Sequence, residues 1–114
     1  MSRRETGLLA EDAAERLFAA RGARIVARNL RTPYAEIDLL AEEDGTLVLV
    51  EVKARARNAA YALSRAQRQR LVRAALYLQG QRGSLDTPIR FDVVTCDMQS
   101  GAYQHIVNAW DAGD

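Results

Sequence analysis

Two segments in the middle of the chain alternate apolar and polar positions with the period of two that is typical of β-strands. In 35–41, Ile37 and Leu39 fall on one predicted face, and Asp38 falls on the other. The segment 46–53 alternates three valines with leucines and charged residues, in the order Leu47, Val48, Leu49, Val50, Glu51, Val52 and Lys53. The intervening Asp44-Gly45 tolerates positive φ, which suits a tight turn between twisted strands. The pattern therefore predicts a β-hairpin.

The turn also predicts which residues lie opposite each other. If Glu43 pairs with Thr46, counting along both strands places Asp38 directly opposite Glu51. Directly opposed Cβ atoms lie about 4.5–5.5 Å apart, where two carboxylates repel each other unless a cation lies between them. Mg²⁺ suits this place, since it prefers oxygen ligands and is often held by two carboxylates and substrate phosphate. Solvated acids, or one acid protonated because of the other, are the alternative.

Apolar positions at helical spacing predict two helices, and further alternating or apolar runs predict three more strands. The predicted order is helix 6–21, strand 24–29, the hairpin strands 35–41 and 46–53, helix 64–81, strand 89–96 and a short strand 103–108. This order is typical of an α/β sandwich. We expect one domain over residues 1–114, since the chain is long enough for a single core.

Two helical residues are candidates for the same site. Glu11 lies at the border of the apolar stripe of the first helix and could reach inward, although a solvated acid is the commoner case. Gln67 lies one turn before Leu71 on the inward stripe of the second helix. The segment from Ser64 to Gln67 also fits a capping box, in which the glutamine bonds back to the cap. Both interpretations of Gln67 stay open.

Lys53 supplies the candidate chemistry. It shares a face with Glu51, and its ammonium group could orient an attacking water or stabilise charge on a phosphorane-like transition state. The alternative is a salt bridge to Glu36, which the predicted register places opposite Lys53.

The net charge of +1 conceals a segregation of charge along the chain. Between Val52 and Leu85 there is no acid, and the eight basic residues there are Lys53, Arg55, Arg57, Arg65, Arg68, Arg70, Arg73 and Arg82. Such a segment predicts a track for phosphates with salt-dependent binding. The residues that we expect to bind nucleic acid are Arg55, Arg57, Arg65 and Arg68. A solvated helix face is the alternative.

Composition adds a few expectations. The single Cys96 cannot form an internal disulfide and is expected to be a small buried hydrophobe, which fits a reducing cytoplasm. No apolar run is long enough for a transmembrane helix. We expect Asp92 to make a structural hydrogen bond, His105 to be exposed or structural, and Trp110 to cover the core or an interface.

Five short motifs, taken in order, carry a resemblance to a known family. They are Gly7-x-x-x-Glu11, Arg28-Asn29-Leu30, Glu36-Ile37-Asp38-Leu39, Val50-Glu51-Val52-Lys53-Ala54-Arg55 and Arg90-Phe91-Asp92-Val93-Val94. Together they resemble the uncharacterised bacterial YraN-like family, which looks like a compact member of the PD-(D/E)xK nuclease superfamily, similar to archaeal Holliday-junction resolvases. The resemblance implies a restriction-endonuclease-like three-layer sandwich, with an αβββαβ core and a mixed central sheet.

The resemblance also implies a function. It implies Mg²⁺, with Mn²⁺ as a substitute, at Asp38 and Glu51, an acid at Glu11 and a catalytic lysine at Lys53. The hypothesis adds the Val52 carbonyl as a metal ligand and Glu11 as a direct or water-bridged ligand. In it, Gln67 and Arg55 position the phosphate.

The expected activity is Mg²⁺-dependent endonuclease cleavage of branched or structured DNA, by a homodimer if two strands are cut symmetrically. The alternatives are a nucleic-acid-binding or scaffold module without turnover, and a protein-interaction domain whose acids are merely solvated. Ala35 stands where the family usually has glycine. The loop after the lysine also departs from the family pattern, as does Gln67, where the family usually has lysine.

Overall fold

The computed structural model describes residues 2–55, 63–83 and 86–113, with only the backbone of Arg55. The elements are α1 (Arg3–Ala20), β1 (Arg24–Arg31), β2 (Glu36–Glu43), β3 (Thr46–Arg55), α2 (Arg65–Gln81), β4 (Ile89–Asp97) and β5 (Tyr103–Ile106). They form one sheet in the order β1-β2-β3-β4-β5. Only β3 and β4 are parallel, because the chain between them crosses over through α2. The mixed sheet and α/β sandwich confirm the predicted fold class and are compatible with a restriction-endonuclease-like fold.

The two helices cover opposite faces of the sheet, so the molecule has three layers. One core cluster packs around Ala14 and Phe18 of α1, against the strand residues Leu39, Ala41, Val48, Val50 and Val94. The other packs around Leu71, Ala74 and Leu78 of α2, against Ile37, Leu40, Leu47, Leu49, Phe91 and Val93. Alternate residues of β3 serve the two clusters, as the period of two predicts.

The predicted hairpin register is confirmed up to the candidate site. Glu43 pairs with Thr46, and the register continues to the pair of Leu39 with Val50. Asp44 and Gly45 have φ angles of 51° and 79°, the left-handed backbone that a tight hairpin turn requires. The strand pairing ends at Leu39, so Asp38 is the first residue of β2 beyond it.

The predicted alternation in β2 is wrong at one place. Ile37 belongs to the core cluster under α2, whereas Leu39 belongs to the cluster under α1. The neighbouring strand supplies the reason, since Asn29 has a φ of 53° in the middle of β1. Left-handed backbone interrupts the regular alternation of side chains. Leu30 thus packs against the α2 cluster, as does its β2 partner Ile37.

Several element ends differ from the prediction. The helix α1 begins at Arg3 rather than at residue 6, because Ser2 and Glu5 form a reciprocal capping box before the apolar stripe starts. The strand β1 extends to Arg31 rather than to residue 29, and β5 ends at Ile106 rather than at residue 108. Asn108, with φ of 53°, turns the chain away. No described helix combines the length and the apolar character needed to cross a membrane.

The buried carboxylate of Asp92 connects β4 with β5 and with the segment that follows β5. Asp92 is fully buried, and its Oδ1 accepts hydrogen bonds from Arg90 Nε at 2.9 Å and from the Asn108 N–H at 3.0 Å. Its Oδ2 contacts Arg90 Nη2 at 2.9 Å and His105 Nε2 at 2.7 Å. The expectation of structural roles for Asp92 and His105 is confirmed. Trp110 is buried and stacks on the Phe91 ring at 4.9 Å, so it covers the core.

The same network extends to α1 and the hairpin through Glu43. Its carboxylate accepts hydrogen bonds from Arg21 at 2.8 Å and from Arg90 at 3.2 Å. The guanidinium of Arg21 and then that of Arg90 hold the pKa of Glu43 down at about 2, against the opposing effect of burial. The network therefore fixes the end of the sheet that carries the hairpin turn.

We predict that Asp92→Ala lowers the free energy of unfolding by about 2–4 kcal/mol, because Arg90 loses its main counter-charge and several buried donors lose their acceptor. Urea unfolding measures this. Asp86→Ala, at an exposed acid, is the matched control and should change stability by about 0.5 kcal/mol or less. Equal effects of the two substitutions would contradict a structural role for Asp92.

Candidate metal site

Asp38 lies where β2 and β3 part, and its environment is unusual for an acid. Its Oδ2 accepts a hydrogen bond of 2.8 Å from the backbone N–H of Val52. Burial is the main cause that raises the pKa of Asp38 to about 7, and the negative charges of Glu51 and, more weakly, Glu11 add to it. The Val52 hydrogen bond and Lys53 oppose this rise in pKa. A buried acid close to two others is typical of a cation-binding or catalytic position.

Glu51 and Lys53 lie together on the face of the sheet that α2 covers. Lys53 Nζ lies 2.9 Å from Glu51 Oε1, and their side chains are 31% and 14% exposed. The alternative ion pair of Lys53 with Glu36 is not the one formed. This contact confirms the prediction that Lys53 shares a face with Glu51. Lys53 is also the only lysine of the sequence, since the other 15 of the 16 Lys and Arg residues are arginines.

A cavity of about 180 Å³ opens beside Glu51, and α2 forms its other wall. Its lining residues are Ala35, Glu36, Glu51, Leu63, Gln67, Arg70 and Leu71. Gln67 completes the predicted capping box and also lines this cavity. Its Oε1 accepts a hydrogen bond of 2.9 Å from the Ser64 N–H, which fixes the amide at the cavity wall. The cap thus holds a polar side chain at the wall of the cavity beside Glu51.

Glu11 approaches Asp38 from the α1 side of the sheet. Its Oε1 accepts hydrogen bonds from Arg28 Nε at 3.2 Å and from Asn29 Nδ2 at 3.0 Å. Consecutive strand residues normally point to opposite faces, so both can reach Glu11 only because of the left-handed φ of Asn29. The prediction that Glu11 reaches inward agrees with its side-chain exposure of 16%. Arg28 also pairs with Asp12 and Glu15, which anchors α1 on β1.

The donor set fits a hard divalent cation. Asp38 and Glu51 offer carboxylate oxygens, and Val52 lies between Glu51 and Lys53 on the same strand. Across residues 2–55, 63–83 and 86–113, no group of three or more His, Cys, Asp or Glu side chains is arranged to hold a metal ion. Glu11 comes from the α1 side of the sheet and Glu51 lies on the α2 side, and the negative charges of both act on Asp38.

The predicted basic track is only partly described. Arg57 and the side chain of Arg55 lie outside the described residues. Arg65 is exposed in the first turn of α2. Arg68 is partly buried, donates from Nη1 to the Leu63 carbonyl at 3.3 Å, and has a buried Nε without a hydrogen-bond partner among the described residues. Arg65 forms no ion pair with the residues that the structure describes, whereas Arg68 is partly engaged by its own helix start.

The site contains contacts that sequence reasoning did not assign. Arg28 and Asn29 were noted only as part of a motif, yet they hold Glu11 in place. The available signal was an arginine and an asparagine inside a strand otherwise rich in apolar residues, a position that disfavours asparagine unless its backbone is special. Arg90, two residues before Asp92 in a mostly apolar strand, was a similar but weaker signal of a side-chain contact inside the fold.

Comparisons with known proteins agree with the motifs. Residues 10–96 match the profile of the uncharacterised protein family UPF0102. The chain is 43% identical over 110 residues to a UPF0102 protein of Rhodopseudomonas palustris strain BisA53, with 94% of this chain and 84% of that protein covered. A UPF0102 protein of Shewanella amazonensis is 50% identical over 93 residues, with 77% and 84% covered.

One solved structure is distantly similar. It is SfsA of Pyrococcus furiosus in complex with Ca²⁺, with a TM-score of 0.37 and 16% identity over 90% of this chain and 62% of that one. This likeness is slight and says nothing of what the present chain binds.

We predict that the stability of the metal-free protein falls as pH rises from about 4 to 7. Across that window Asp38 ionises readily when the chain is unfolded but resists ionisation when folded, because its folded pKa is raised to about 7. The expected loss is roughly 1–4 kcal/mol. Urea unfolding in EDTA at pH 5 and pH 7.5 measures it. The favourable effect of Glu43, whose pKa is lowered to about 2, is already complete at pH 5.

Asp38→Asn should flatten this pH dependence, because its amide does not ionise. Asp44→Asn, at the exposed hairpin turn, is the matched control and should keep the dependence of the unaltered protein. A pH dependence that survives Asp38→Asn would show that Asp38 is not its source.

Proposed function

The chain belongs to the uncharacterised protein family UPF0102, and on that premise we propose that it is a Mg²⁺-dependent endonuclease. Membership confirms the resemblance that the motifs carried. The observation that supports the activity is the geometry near the start of β2, where Asp38 and Glu51 repel each other and Lys53 contacts Glu51. Repulsion between two partly buried carboxylates costs stability, and a bound cation would remove that cost.

In this proposal Asp38, Glu51 and the Val52 carbonyl hold the metal, and Glu11 contributes through a water molecule. Bound Mg²⁺, or Mn²⁺ in its place, would polarise the phosphate and lower the pKa of a coordinated water. The hydrogen bond from the Val52 N–H occupies one side of Asp38 Oδ2 and holds its carboxylate at a fixed angle. Arg28 and Asn29 hold Glu11 in the same way.

Lys53 is the proposed catalytic lysine. An ammonium group has three N–H donors, and one contact with Glu51 leaves the others for an attacking water or a phosphate oxygen. Gln67 lies across the cavity from this face, where its fixed amide can position a phosphate. Arg55 completes this positioning, and Arg57, Arg65 and Arg68 extend the contacts along the nucleic acid.

The proposed substrate is branched or otherwise structured DNA. Its support is the likeness of the sequence motifs to junction-resolving nucleases, together with the acid-free basic segment that begins at the lysine. We further propose a cytoplasmic homodimer, because a twofold pair of sites would cut two strands symmetrically.

We predict that Asp38→Asn, Glu51→Gln and Lys53→Arg each reduce cleavage at least about 100-fold. The lysine substitution is the sharpest of the three, because arginine keeps the charge but replaces a compact ammonium with a planar guanidinium that does not deprotonate. The measurement is a single-turnover assay on junction, flap and plasmid DNA with Mg²⁺ or Mn²⁺. Asp44→Asn and Arg16→Gln, at exposed positions, are controls that should keep the activity.

Unchanged cleavage in all three site variants would contradict the site. A different result would favour the competing function. If the unaltered protein binds DNA in a salt-dependent way but cleaves none with either metal, it is a nucleic-acid-binding module that retains the fold without turnover.

A further inference from the structure

The surface next to the acidic cavity carries a feature that the proposed chemistry does not use. It is an open groove of about 520 Å³ lined by Tyr34, Arg73, Leu76 and Tyr77, which we call the tyrosine groove. Tyr34 and Leu76 are 46% and 56% exposed. The Tyr34 and Tyr77 rings meet edge to face with centroids 6.3 Å apart. Two large apolar side chains thus remain at the surface beside an arginine.

The groove and the acidic cavity are lined by neighbouring residues of the same two segments. Ala35 lines the acidic cavity, and its chain neighbour Tyr34 lines the groove. On α2, Arg70 lines the cavity and Arg73 lines the groove. Residues three apart on a helix are neighbours on its surface, so the two arginines form one basic edge between the two spaces.

The position of Tyr34 is fixed before any ligand arrives. Tyr34 lies in the loop of residues 32–35 between β1 and β2, and Thr32 ties that loop together. The Thr32 hydroxyl accepts hydrogen bonds from the N–H groups of Tyr34 at 3.2 Å and Ala35 at 3.0 Å, and it donates to the Ala35 carbonyl at 2.7 Å. On the other wall, the Tyr77 hydroxyl accepts a hydrogen bond from Gln81 at 2.6 Å. A preorganised aromatic surface loses little entropy on binding.

The charges around the groove select an anionic occupant. Arg70 and Arg73 are exposed, and neither forms an ion pair within the described part of the chain. No acid occurs anywhere between Val52 and Leu85. Exposed tyrosines interleaved with arginines are the composition that binds single-stranded nucleic acid, because bases stack on the rings while phosphates meet the guanidinium groups. A base within a duplex is already stacked on both faces and offers no free face to Tyr34.

We propose that the tyrosine groove binds an unpaired base of the nucleic-acid substrate, next to the phosphate at Asp38 and Glu51. The inference rests on the proposed function and deepens it, since it specifies a substrate with unpaired or displaced bases beside the scissile phosphate. Tyr34 supplies the stacking surface, Arg73 meets a flanking phosphate, and Arg70 leads the backbone to the acidic cavity.

Binding in EDTA tests this inference without requiring cleavage. The probes are a blunt DNA duplex and a fork of the same sequence with two unpaired arms, one of which carries 2-aminopurine. Fluorescence anisotropy gives the two affinities, and quenching of 2-aminopurine reports stacking. We expect the fork to bind more tightly than the duplex. Tyr34→Ala should weaken fork binding about five- to tenfold, the lower end of what base–aromatic stacking contributes, and should remove the quenching.

Three further variants make the result specific. Tyr34→Phe keeps the ring and should retain the preference for the fork. Tyr103→Ala removes a tyrosine that is 54% exposed on β5, at the opposite edge of the sheet from β1, and should change nothing. Arg73→Gln should weaken binding of both DNAs and reduce the salt dependence by about one phosphate contact. Far-UV circular dichroism and thermal melting of each variant check that it is folded.

Three outcomes would overturn the inference. The first is equal fork binding by Tyr34→Ala and Tyr103→Ala, and the second is equal affinity of the unaltered protein for fork and duplex. The absence of any DNA binding at low salt would also overturn it and would leave the groove to a protein partner. Because these measurements need no cleavage, Tyr34-dependent stacking without cleavage contradicts only the nuclease, and cleavage without a Tyr34 effect contradicts only the groove.

Discussion

The register between β2 and β3 is the constraint on which the candidate site depends. The left-handed backbone of Asp44 and Gly45 allows only a tight turn, so every later pair in the hairpin is fixed by it. A slip by one residue would move Glu51 and Lys53 to the α1 face and carry Val48 and Val50 to the other face. The hydrophobic core and the acidic site therefore enforce the same register, and neither can change without the other.

Asp92 and Asp38 have very different surroundings, although both are aspartates of the same sheet. Asp92 is fully buried, yet Arg90, His105 and the Asn108 N–H surround its carboxylate with donors. Asp38 is less deeply buried but receives a single backbone hydrogen bond and faces two other acids. The first arrangement stabilises the sheet. The second makes ionisation of Asp38 unfavourable in the folded chain, which is the kind of local cost that proteins retain where a ligand is to be bound.

Local patterns predicted the elements that depend on local physics. The period of two in 46–53, the Asp44-Gly45 turn and the capping box at Ser64 involve residues near each other in sequence, and the structure has all three. The left-handed backbone of Asn29 could not be predicted this way, because it accompanies contacts of Arg28 and Asn29 with Glu11, which is distant in the sequence. That one angle places Arg28 and Asn29 on Glu11 and sends Ile37 to the other face. The tyrosine groove was missed for a related reason, since Tyr34 and Tyr77 meet only when the β1–β2 loop lies beside α2.

Lys53 is the only lysine in a chain whose other Lys or Arg residues are all arginines. This choice of residue supports a chemical rather than a purely electrostatic role for Lys53. If the task at residue 53 were only to neutralise Glu51, a guanidinium would serve at least as well, because it binds a carboxylate through two parallel hydrogen bonds. Such a bidentate pair would also hold Glu51 fast and would compete with a metal for its oxygens. A lysine ammonium makes a single contact, turns freely and gives up Glu51 at less cost. The proposed phosphate contacts elsewhere on the surface need none of these properties, and arginine occupies the other basic positions of the acid-free segment.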